Sequence, residues 1–186
     1  MKKYSIWYEE PKSLDEELLE VCRTVAAGNE SYLLFLEDSS LEIPMSNEIY
    51  KMIKKKHEEK SLKESELLIS PDIKNIRIND FVADVINSIR TGVWSDSYLE
   101  KYCNPECLIA CNLEEIIGKT TSTEALTDIV GWRIKYGKKT VLVGTEKDKW
   151  YSTDLLAVLK QLKTVHIGYA ECDEGVPEKN ILPSPK

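Results

Sequence analysis

Apolar residues recur along this chain in two alternating rhythms. Over residues 14–27 they fall at Leu14, Leu18, Leu19, Val21, Cys22, Val25 and Ala26, the spacing of one helical face. Ser13 with Glu16 reads as a capping box at the start of that helix, and Gly28 as its stop. Residues 31–37 (SYLLFLE) form a continuous apolar run instead, the pattern of a strand buried on both faces of a parallel sheet. Pro44 fits the first turn of a second helix, with Met45, Ile49, Met52 and Ile53 on one stripe. Residues 61–72 are charged and irregular and predict a surface excursion.

The alternation continues to the last strand. Residues 75–78 predict a short strand, and residues 80–91 a helix with Phe81, Val82, Val85, Ile86 and Ile89 facing inward. A short helix over 95–102 leads through Asn104-Pro105 into an apolar strand over 107–111. A long helix over 122–136 is closed by Gly137, with Trp132 expected in the core. Strand 139–144, helix 154–162 and strand 164–169 complete the series. Five strands interleaved with helices predict an α/β three-layer sandwich, its five-stranded, mainly parallel sheet covered on both faces. Residues 1–170 are read as one core. Residues 171–186 carry three prolines and no apolar period, so they are expected to be a mobile tail.

Composition narrows the chemistry. The chain has 186 residues, 42% of them hydrophobic and 31% charged, as expected of one globular domain. No apolar run approaches the length of a bilayer span, and the lysine-bearing N-terminus lacks an apolar leader segment, so a cytoplasmic protein without membrane contact is expected. A net charge of −7 argues against direct nucleic-acid binding. The basic cluster over 51–57 (KMIKKKH) runs straight into Glu58 and Glu59 and reads as a solvated helix face.

Five cysteines raise the question of a metal site, and the three-residue gaps between Cys103, Cys107 and Cys111 formally permit zinc. However, Cys107 and Cys111 stand at opposite ends of one strand, roughly 13 Å apart at the usual rise per residue, so no metal site is expected. His57 and His166 have no Ser or Cys at a nucleophile spacing and read as surface or packed side chains.

A doubly wound sheet binds ligands at the carboxyl ends of its strands. The first strand runs into Asp38-Ser39-Ser40-Leu41-Glu42-Ile43-Pro44-Met45, the place of a phosphate loop. Such a loop needs glycines for close backbone approach, a lysine for the outer phosphates and a Ser or Thr for magnesium. This segment has no glycine and no lysine, and it carries Asp38 and Glu42 behind Glu37. Gly118-Lys119-Thr120 imitates the end of a phosphate loop, but Leu113 stands where the first glycine belongs.

The stretch over 106–127 (ECLIACNLEEIIGKTTSTEALT) resembles the second nucleotide motif of bacterial replication initiators of the DnaA type. In that family two acidic residues end the strand, followed by an Ala-Gly-Lys turn and a helix start. Gly118, Lys119 and the helix near Ser122 match, while Cys111 and Asn112 stand at the acidic pair. Residues 81–90 (FVADVINSIR), 99–102 (LEKY) and 138–146 (KKTVLVGTE) are similar to further family segments in the same order, which places Thr145 at the sensor position. The likeness runs over roughly residues 7–169. It implies an AAA+-like core of the P-loop NTPase fold, without the family's helical lid and DNA-reading domains. Residues 159–165 (LKQLKTV) correspond to the segment that donates the family's arginine finger, and they contain no arginine.

These departures predict an inactive ATPase homologue with no cofactor. Its expected role is protein recognition, through an initiator, a helicase loader or self-association, modulating replication initiation or helicase loading. Two alternatives stand beside it: an atypical nucleotide binder using Lys119 or Thr145, and a thiol enzyme using Cys111. Trp150-Tyr151, in the loop after the sensor-like strand, suits either an interface or a cap over the site from within.

Overall fold

The computed structural model describes residues 13–64, 72–92, 96–145, 151–171 and 177–179. Helix α1 (Glu16–Ala27) precedes strand β1 (Tyr32–Leu36), and a 3-10 turn (Ser39–Leu41) leads into α2 (Glu42–Glu64). Strand β2 (Ile73–Arg77) passes directly into α3 (Ile78–Thr91), followed by α4 (Asp96–Cys103) and β3 (Cys107–Cys111). A second 3-10 turn (Leu113–Ile116) precedes α5 (Thr120–Lys135), then β4 (Lys139–Thr145), α6 (Thr153–Leu159) and β5 (Lys163–Ile167). The five strands are all parallel, in the order β2-β3-β4-β1-β5. Tyr169–Glu171 (β6) and Pro177–Lys179 (β7) pair as a separate antiparallel ribbon.

Period-two alternation along the strands divides the core into two layers. Leu33, Phe35, Leu108, Ala110 and Leu142 pack against α3, α5 and α6 through residues such as Phe81, Leu126 and Leu155. Leu34, Leu36, Ile109, Val141 and Val143 face the other way, against Cys22 and Val25 of α1 and Met45, Ile49 and Ile53 of α2. The central strands β1 and β3 are buried at every position. The sandwich predicted from the sequence is the one observed.

Local differences follow from local chemistry. Asp15, not Ser13, caps α1, accepting from the Leu18 amide at 2.9 Å. Residues 61–64 continue α2 rather than forming an excursion, because Leu62, Lys63 and Glu64 are good helix formers. Residues 65–71 of that expected excursion lie outside the described residues. On α3 the buried stripe is Ile78, Phe81, Val82 and Val85. Ile86 lies off that stripe and Ile89 a turn beyond it, so they are 41% and 50% exposed rather than inward. Strand β5 is a sheet edge, and His166 on it is exposed.

The amino-terminal edge of the sheet is fastened by two basic residues. Arg133 of α5 is fully buried, and its guanidinium donates to the carbonyls of Tyr102, Cys103, Pro105 and Lys139 and to Thr140 Oγ1. Burial lowers its pKa to about 10, which leaves it charged at neutral pH. Lys139 Nζ reaches the α1 end, 2.6 Å from the carbonyls of both Val25 and Gly28, where a cation complements the helix dipole. No helix among the described residues is long and apolar enough to cross a membrane.

Arg133→Met keeps the stem's packing but takes a donor from three buried carbonyls and one half-buried one, and each buried loss costs about 1–3 kcal/mol. The expected outcome in urea denaturation is a loss of about 3 kcal/mol or more. A loss below about 1 kcal/mol would show that these carbonyls find other partners.

Candidate functional site

The carboxyl ends of β1, β3 and β4 meet where a doubly wound sheet places its ligand. Leaving β1, the Glu37 amide donates to the Ile167 carbonyl at 3.1 Å and extends the sheet by one bond. Asp38 then caps the 3-10 turn. Its Oδ1 accepts from the Ser40 amide at 2.9 Å and the Ser40 hydroxyl at 2.6 Å, and its carbonyl accepts from the Leu41 amide. A phosphate cradle needs amides that point at the ligand. Here the amides of Ser40 and Leu41 are already used within the turn.

Glu42 opens α2 and is fully buried. Its Oε2 accepts from the Asn112 backbone amide at 2.7 Å and from Asn112 Nδ2 at 3.2 Å. Asn112 follows β3 in the left-handed region, at φ 62 and ψ 50, a conformation that asparagine tolerates better than most side chains. The carboxylate also lies in the first turn of α2, where the helix dipole favours negative charge. The segment at the loop position and the residue at the acidic-pair position are therefore bonded directly to each other.

Cys111, one residue before, is buried with its Sγ 3.6 Å from the Ile76 carbonyl and from Asn112 Oδ1. Burial pushes the thiol's pKa up, against the pull of the Ser46 hydroxyl, and the negative charge of Glu42 adds to the rise. Thr145 ends β4, and its amide donates to Glu114 Oε2 at 3.4 Å. Its Oγ1 is buried with no hydrogen-bond partner among the described residues. The end of β4 is pressed onto the turn after β3: a Cβ on Gly144 would lie 2.7 Å from Leu113 Cβ, so no larger residue fits without a shift.

No protein-family model and no curated protein matches this chain. Solved structures do. Domain III of the Thermotoga maritima replication initiation protein DnaA matches at TM-score 0.61 and 16% identity, over 83% of this chain and 60% of that one. AMPPCP-bound DnaA from Aquifex aeolicus matches at 0.62 and 11% identity, over 81% and 44%. A DnaC helicase loader matches at 0.57 and 14% identity, over 86% and 94%. This chain has the DnaA-like AAA+ fold. It spans between 44% and 60% of the two DnaA chains, and these identities speak for the fold alone.

Within the DnaA-like fold, the structure brings Glu42, Cys111 and Asn112 together and places Thr145 at the neighbouring strand end. Lys119 is engaged elsewhere: Nζ donates to the Glu115 carbonyl and lies 3.4 Å from Asn79 Oδ1 and 3.7 Å from the Glu115 carboxylate. Lys163, in the region expected to carry an arginine finger, pairs with Glu30 at 2.9 Å. Trp132 is half-buried and stacks on Tyr136, and Tyr151 is buried, while Trp150 lies outside the described residues.

Two features escape the sequence. Each half of the Glu42–Asn112 bond is legible as a departure, but nothing in the spacing says that they meet. A cleft of about 620 Å³ also lies away from this junction, between the starts of α5 and α6, lined by Ile116, Ile117, Thr123, Asp128, Tyr151 and Asp154 among others.

Raising a thiol's pKa shrinks its reactive thiolate fraction at neutral pH, the reverse of what a catalytic cysteine requires. Iodoacetamide at about pH 8 should therefore alkylate Cys111 more slowly than a free model thiol, with the rate rising above the ordinary thiol range near 8.5. A folded-state rate equal to or above that of the free thiol would contradict this placement.

Proposed function

We propose that this chain is a non-catalytic module of DnaA-like AAA+ fold that acts through protein contacts in replication initiation or helicase loading. The observation that carries the reading is the Glu42–Asn112 hydrogen bond. In phosphoryl-transfer sites of this architecture, a loop lysine and hydroxyl hold phosphates and magnesium, and a carboxylate at a strand end holds the metal. Here the carboxylate stands on the loop side and an amide at the strand end, so the charges are reversed. A nucleotide's phosphates would face Glu37, Asp38 and Glu42, with Lys119 tied to Glu115 and Asn79. Each like-charge approach costs on the order of 1 kcal/mol or more.

The likeness to the DnaC loader, over 94% of that chain, supports a module of this size within helicase-loading assemblies. A second reading, residual nucleotide binding, draws on the Thr145 hydroxyl, which is buried with no hydrogen-bond partner among the described residues. A ligand oxygen would satisfy it.

Titration calorimetry with ATP and ADP, each with and without magnesium, separates the two. The module reading expects no binding tighter than about 100 µM, equivalent to about −5.5 kcal/mol. Tighter, magnesium-dependent binding of ATP would replace it with the second reading. Affinity purification from the native cell is expected to recover an initiator or helicase loader.

A further inference from the structure

The cleft between α5 and α6 takes no part in the Glu42–Asn112 junction, and its chemistry differs from that of the strand ends. Its floor is apolar: Ile116 and Tyr151 are buried, and Ile117 is half-buried beside them. Its rim is acidic. Glu124 and Asp128 stand four residues apart on α5, and Asp154 faces them from the first turn of α6. Among the described residues the one cation on the lining is Lys119, which already pairs with Glu115.

The three carboxylates have different local explanations. Asp154 is favoured where it stands, because the start of α6 presents a positive dipole end. Glu124 and Asp128 are not so favoured. Residues four apart on a helix are neighbours, and a like-charge pair there destabilises the helix. No hydrogen bond or ion pair among the described residues offsets that repulsion. An external cation would. A volume of about 620 Å³ falls within the usual range for ligand sites of about 300–1,000 Å³.

We propose that this cleft is the docking site for an arginine-bearing segment of a protein partner. The planar guanidinium suits the site better than an ammonium. It spans two carboxylates through its fork of donors and is more weakly hydrated. Apolar side chains flanking the arginine settle on Ile116 and Ile117. This inference rests on the protein-recognition reading and assigns that reading a place and a chemistry.

The test uses the full chain and a fluorescein-labelled hexa-arginine peptide, followed by anisotropy at about 0.15 M salt, where long-range surface charge is largely screened. Glu124→Gln, Asp128→Asn and Asp154→Asn are combined in one variant. A control, Glu16→Gln with Glu20→Gln and Glu59→Gln, removes the same charge from α1 and α2 on the opposite face of the sheet. The expected result is a loss of about tenfold or more in affinity for the cleft variant, and less than about twofold for the control. Hexa-lysine is expected to bind more weakly than hexa-arginine. Equal losses in the two variants would reduce the effect to net charge and overturn the proposal, as would absence of binding to the unmodified chain. The variants change exposed side chains only, and matching thermal melts confirm that both are folded. Failure here while ATP also fails to bind removes the cleft assignment alone. Binding of ATP removes the non-catalytic reading whatever the peptide does.

Discussion

A single buried carboxylate governs the carboxyl end of this sheet. Removing the Glu42 side chain from water costs several kcal/mol unless its oxygens are matched by donors in good geometry. The Asn112 amide and side chain supply two, both to Oε2, and the first turn of α2 supplies a favourable field. In return the contact fixes how α2 approaches β3 and holds Asn112 in its left-handed conformation. The tight seat of Leu113 on Gly144 then follows, because the turn after β3 begins at Asn112. Loop, strand ends and turn form one bonded unit.

On the proposed reading, that unit lets a nucleotide-type architecture persist around different chemistry. The strand order and the two-sided helical cover depend on apolar alternation, which does not require a phosphate at the strand ends. Arg133 and Lys139 hold the opposite edge of the sheet through backbone carbonyls, with no part in ligand chemistry. Substituting the ligand-side residues therefore leaves the fold's main supports intact. On this account the function moves outward, to surfaces such as the α5–α6 cleft.

Much of the fold is legible because its signals are local. The continuous apolar runs at Tyr32–Leu36 and Cys107–Cys111 announce buried strands, and both are buried throughout. Ile86 and Ile89 deceive because an isoleucine in the second half of a helix fits an apolar period whether or not a neighbour covers it. Residues 61–64 deceive in the opposite direction, since a charged run looks irregular although Leu, Lys and Glu are good helix formers. Of the site, the absences are legible: no glycine or lysine at 38–45 and no acid at 111–112. The bond between Glu42 and Asn112 is not, because it joins residues 70 positions apart and depends on the crossover that sets α2 beside β3. The same holds for Arg133, whose five acceptors come from two separate segments, residues 102–105 and 139–140.

The most direct test is the NMR signal of the Asn112 backbone amide during addition of ATP with magnesium. The charge-assisted bond to Glu42 predicts a strongly downfield amide that does not move as nucleotide rises to about 1 mM. A saturable shift of that amide with ATP and magnesium, showing that nucleotide displaces Glu42 from Asn112, would contradict the account.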